Sequence, residues 1–157
     1  MKKQQPHTYS LIAIMMASPT APTPPFLRTH QLTRMSGGLH AMVRGDSPKA
    51  DDWRVVCDSV NLMETLVLNG MLSDADGTLP RAAQALADAA HRAGQGKGIR
   101  LDAPGMDAVR GVLEDYQFVL ENLPHRVMLN THRITEKRLL EIQRGIRQSH
   151  DVEVISL

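Results

Sequence analysis

The stretch from Ser47 to Gly70 constrains this chain more than any other. Ser47-Pro48 reads as a helix start, with a hydroxyl to cap free N–H groups and a proline whose fixed φ suits the first turn. Asp51 and Asp52 follow where the helix dipole favours negative charge. Trp53, Val56, Val60, Met63 and Val67 then recur at spacings of three and four, and Val55, Leu62 and Leu66 draw a second stripe beside them. Only Arg54, Asp58, Asn61 and Thr65 remain as a polar strip, and Gly70 supplies the stop. A helix apolar over most of its girth must be covered from several sides. The expectation is therefore a central helix with Trp53 largely buried.

What surrounds it reads as helical too. The chain has 157 residues, enough for one domain with a real core. Aromatics are only 3% of it, so that core is built from Leu, Val, Ile, Met and Ala, which favours helices over a β-sandwich. Leu32, Met35, Leu39 and Met42 mark a first helix between Phe26 and Gly45. Within it Gly37-Gly38 costs about 1 kcal/mol per glycine relative to alanine, so the pair marks either a close approach by another backbone or a helix that begins only after it. Leu79 to Ala93 carries an alanine-rich face that lets a partner helix come close. Asp102-Ala103-Pro104 caps the next helix, where Met106, Val109, Leu113, Tyr116, Leu120 and Leu123 keep an a/d rhythm. So short a seam fits packing within a bundle. After Asn122-Leu123-Pro124 a last helix runs to about Arg147.

The ends carry different signals. Lys2-Lys3, the apolar run Leu11 to Ala17 and small residues to Ala21 have the outline of a secretory leader. Pro19, Pro22, Pro24 and Pro25 crowd its cleavage region, and translation from Met15 or Met16 would remove most of it. Disorder is the expectation for residues 1–26, with a helical domain over 27–148 and a weakly alternating tail over 149–157. The fold class is thus all-α, a single helical-bundle domain of four to five helices with a disordered N-terminal segment.

Charge divides along the chain: residues 1–50 sum to +5, 51–121 to −6 and 122–157 to +2. Such a division suits internal attraction or a basic surface offered to an acidic partner. Cys57 is the single cysteine, which excludes an internal disulfide and suits a reduced, cytoplasmic setting. No stretch is long enough to span a membrane.

Candidate chemistry is sparse. Gly94-Gln95-Gly96-Lys97-Gly98 could cradle phosphate through backbone N–H groups, but the spacing, the preceding helix and the missing Ser or Thr do not match a phosphate loop. A mobile linker is the better reading. Asp74-Ala75-Asp76-Gly77 lacks the closing glutamate of a calcium loop, since its twelfth position is Ala85, and reads as a turn. His125 and His132 are seven apart and Cys57 has no histidine near it, so no metal site or other cofactor is expected. Cys57 lies among valines like a structural thiol. Glu64 projects beside Trp53, Cys57 and Val60, where pairing with an arginine of another helix is expected rather than catalysis. No catalytic residue is assigned, and the chain is read as a non-enzyme.

Residues 32–147 resemble small helical proteins of unknown function carried by bacterial prophages and other mobile elements. The likeness rests on Asp-Asp-Trp at 51–53, Val-Asn-Leu-Met-Glu-Thr-Leu at 60–66 and Gly-Ile-Arg-Leu-Asp-Ala-Pro-Gly at 98–105. It implies a small accessory protein and brings no catalytic residues. The leading function is therefore binding to another protein or to a second copy. DNA or RNA binding is the alternative, through the last helix. There Arg126, Arg133, Lys137 and Arg144 share one face, with Arg147 one position further round and Leu140 on the margin, while Val127, Ile134, Ile142 and Ile146 face away. Phe118 projects among Asp107, Glu114 and Glu121 as a second contact candidate.

Overall fold

Helix signals at the expected places become helices in the computed structural model, which describes residues 7–146. Six helices follow one another: α1 Leu11–Met16, α2 Pro25–Arg44, α3 Ala50–Leu68, α4 Thr78–Gly94, α5 Ala103–Asn122 and α6 His125–Gln143. Among the described residues there is no strand, only an isolated bridge between Pro22 and Pro124. The architecture is all-α. The count exceeds the expected four to five because residues 11–16, expected to lack structure, form a helix. Arg147 and the 149–157 tail lie outside the described residues.

α3 is the axis. It packs against α2, α4, α5 and α6, while α2 and α4 also lean on α5 and α1 lies on α6. From Val56 to Leu66 every residue except Asp58 is buried. The α3 start differs from expectation: Ser47 stays outside, and Asp52 closes the first turn by accepting the Lys49 N–H at 2.8 Å. Trp53 is half-buried, because its ring lies at the edge of the core. Its indole N–H donates to the Leu86 carbonyl at 2.9 Å and so ties α3 to α4.

Half of the expected polar strip on α3 is interior. Asn61 and Thr65 are buried, and only Arg54 and Asp58 reach solvent. The reason is a polar seam with α6. Thr65 and Thr135 bring their hydroxyls to 2.7 Å, and Arg138 of α6 donates to both Thr65 Oγ1 and the Glu64 carboxylate. Glu64 is 2% exposed and Arg138 6%, so the pair is paid for by mutual neutralisation rather than by water.

Two close approaches set the helix spacing. A Cβ on Gly38 would stand 2.6 Å from the Asp52 carbonyl oxygen, so α2 and α3 meet backbone to backbone there. A Cβ on Gly105 would meet Ala85 Cβ at 2.7 Å, which uses the small-residue face of α4. Gly37 has open space around it.

The Gly94–Gly98 loop is helix-terminating chemistry. Gly96 takes φ 77°, the Lys97 N–H bonds the Arg92 carbonyl and the Gly96 N–H bonds the Ala93 carbonyl. The segment beyond is anchored rather than mobile: Ile99 enters the core, the Leu101 N–H bonds Met42 O at 3.3 Å and Arg100 grips the Gly45 carbonyl.

Candidate macromolecular interface

α6 begins at Pro124, which brings no side chain to cap the first turn. Its orphan donors are met by the N-terminal segment instead: the His125 N–H bonds Ala21 O at 2.8 Å and the Arg126 N–H bonds Ser18 O at 3.0 Å. Ser10 opens α1 by accepting the Ala13 N–H at 3.1 Å. Ile14 and Ala17 then bury themselves against Leu129. That contact explains why Leu129 is interior.

The cationic face of α6 is where the same segment is held. Arg126 donates to Met15 O at 2.7 Å and to Ala17 O at 3.1 Å, carbonyls at the end of α1 that have no helical partner. Arg133 donates to Tyr9 O at 3.2 Å. Glu136 accepts the Thr8 N–H at 3.0 Å and faces His7 Nδ1 at 3.0 Å. The expected ridge is therefore divided. Arg126 and Arg133 are engaged inside the molecule, whereas Lys137 is exposed, 3.9 Å from Glu141. Leu140 is half-buried, and Arg144 is exposed as the residue capping the C-terminal end of α6. α6 is also rotated from the expected projection. Met128, Leu129, Thr131, Thr135, Arg138 and Leu139 are buried, Val127, Ile134 and Ile142 are half-buried, and Ile146 is exposed beyond the helix.

His132 lies beneath this cover, with its ring edge-on to Tyr9 at 5.3 Å. Burial pushes its pKa down to about 4, against an opposing pull from Glu136, so the ring is neutral near pH 7. His125 is shifted down by burial as well, beside Thr23 Oγ1 at 3.3 Å.

Covering α6 leaves α1 with an apolar outer face. Leu11 is 61% exposed, Ile12 72%, Met15 72% and Met16 82%. Phe26, at the start of α2, is exposed too. Phe118 sits elsewhere, on α5, beside a hollow of about 210 Å³ between α3 and α5. The structure does not gather the expected contact residues into one site.

The two residues singled out for bond-making chemistry, Cys57 and Glu64, are both interior. The Cys57 thiol is buried and its pKa is raised by burial and by Asp58, which keeps it protonated and unreactive. Glu64 is engaged with Arg138. Among the described residues no cluster of His, Cys, Asp and Glu is arranged to hold a metal ion. No helix among them is long and apolar enough to cross a membrane.

Sequence reasoning missed α1 as a docked element. The available signals were Ser10 at a capping position and Arg126 on α6 with no acidic residue three or four positions away, but neither names the other across more than a hundred residues. Comparison with protein-family models, curated proteins and solved structures finds no match for the chain.

Proposed function

We propose that the chain is a small helical accessory protein, without catalytic activity, that works in the cytoplasm by binding another protein through the outer face of α1. The single observation that carries this reading is the exposure of Leu11, Ile12, Met15 and Met16 on a helix held from behind by Arg126 at Met15 O, with Arg133 holding the Tyr9 carbonyl just ahead of it. Four such side chains offer on the order of 500 Å² of apolar surface, near the upper end of what single soluble chains leave uncovered. A pre-ordered apolar surface binds without the entropic cost of ordering a loop. The resemblance of residues 32–147 to small prophage proteins fits an accessory role.

Burial of Cys57 and the engagement of Glu64 support a non-enzymatic reading. The nucleic-acid alternative draws less support, because two cations of the α6 ridge are directed at backbone carbonyls of α1 and its approach. Affinity capture with the parent and with Met15→Glu/Met16→Glu protein tests the proposal. A protein retained by the parent after nuclease treatment and lost from the variant is the expected result. Retention by both, or loss on nuclease treatment alone, would overturn it. Sedimentation of the purified chain separates a second copy from a different partner.

A further inference from the structure

The hollow beside Phe118 has a composition of its own. Met63 and Val67 of α3, Leu72 and Leu79 around the following turn, and Val119 of α5 give it apolar walls. Phe118 stands at its edge, 61% exposed. Its volume of about 210 Å³ accommodates one side chain, since a void of roughly 150 Å³ already admits benzene.

The polar residues that line it include Asp74 and Asp115, and none of its lining residues is Lys, Arg or His. Asp74 is held in place ahead of α4, accepting the Thr78 N–H at 3.0 Å and the Leu79 N–H at 3.3 Å. The Asp115 carboxyl is raised by partial burial and by the negative charges of Asp74, Glu114 and Asp76. Asp74 and Asp115 thus place two carboxylates on the rim of an apolar socket that has no cation among its lining residues, and an approaching cation would relieve their repulsion. An apolar centre inside a charged rim is the anatomy of a protein contact.

We propose that this hollow receives a basic segment of a different protein, with one apolar side chain seated beside Phe118 and Lys or Arg residues paired with Asp74 and Asp115. The site is independent of the α1 face, so the chain has two contact surfaces of different chemistry: one apolar, the other apolar with an acidic rim. The segment's affinity comes from the anchor, and its selectivity and salt dependence come from the rim.

The test uses the full chain and three fluorescein-labelled peptides read by anisotropy. One is Lys/Arg-rich with a central leucine, the second has serine in place of the leucine, and the third has glutamate in place of every basic residue. The expected result is saturable binding of the first, at least roughly tenfold weaker binding of the other two, and weakening as salt is raised. Phe118→Ala and Asp115→Asn should each weaken the first peptide severalfold, while Met15→Glu/Met16→Glu leaves it unchanged. Phe118 and Asp115 are both exposed, so these variants keep the fold. No saturable binding, equal binding of the serine peptide, or indifference to both variants would overturn the proposal. Self-association abolished by Phe118→Ala would replace the foreign segment with a second copy and overturn it as well.

Discussion

Removing the Glu64 carboxylate should expose how the α3–α6 seam is held. The two charges are almost wholly out of water, at 2% and 6% exposure, and Arg138 also donates to Thr65 Oγ1. Glu64→Gln or Glu64→Leu would leave the guanidinium buried without its counter-charge, which costs about 3–5 kcal/mol. For a domain with about 5–15 kcal/mol of total stability, that is a large fraction. At about 2–4 °C per kcal/mol for a chain of this size, Tm should fall by roughly 10 °C. The double substitution Glu64→Leu/Arg138→Met removes both charges together, and well-packed apolar replacements of a buried pair are often neutral or stabilising. It should therefore recover most of the loss, leaving Thr65 and Thr135 to satisfy each other at 2.7 Å. Urea unfolding followed by the fluorescence of Trp53, the single tryptophan, reads the whole cycle. A near-neutral Glu64→Leu, or a double variant as unstable as the sum of the singles, would refute the reasoning.

Three further outcomes follow from particular contacts. Gly37→Ala should stabilise by about 0.5–1 kcal/mol, because nothing lies within 4 Å of the added methyl, whereas Gly38→Ala should cost about 1–3 kcal/mol against the Asp52 carbonyl; thermal melts showing the same sign for both would contradict the α2–α3 approach. His132 is neutral in the fold with a pKa near 4 and takes a proton in the unfolded chain below about 6.5, so the unfolded state binds more protons between those limits. Stability should fall as pH drops through that window, by up to about 3 kcal/mol, and a pH series of urea midpoints should flatten for His132→Phe. ATP or GTP at millimolar concentration should leave Tm unchanged, since the Gly96 and Lys97 N–H groups are already bonded to the end of α4; a rise abolished by Lys97→Ala would show a phosphate site there.

The helices were legible because their signals are local. Spacings of three and four marked α2 to α6 to within a few residues, and the girth of α3 announced a helix enclosed by neighbours. The same local reading offered the Gly37-Gly38 pair as a close approach or as residues ahead of a helix start, and could not single out Gly38, because only the neighbouring α3 backbone distinguishes the two. Glu64 was recognisable as a carboxylate in need of a cation; that the cation is Arg138 depends on how α3 and α6 pack. The contact candidates were harder. The α6 ridge is visible from sequence, yet Arg126 and Arg133 bind carbonyls at residues 9, 15 and 17, and carbonyls carry no sequence signature. The proline-rich composition of the first residues hid a short helix whose order comes from tertiary contacts with Leu129 and the start of α6. Phe118 was found by its exclusion from the helix seam, without the hollow that gives it chemical meaning.

Site-specific photo-crosslinking in the source cell tests most directly that the outer face of α1 is a protein contact. A photoreactive side chain replaces Met15 or Met16 in turn, with Gln84 on the exposed face of α4 as the reference position. The account predicts a discrete protein adduct from both α1 positions and none from position 84. Adducts that are indiscriminate among the three, or absent from α1 while the parent still retains a partner, would contradict it.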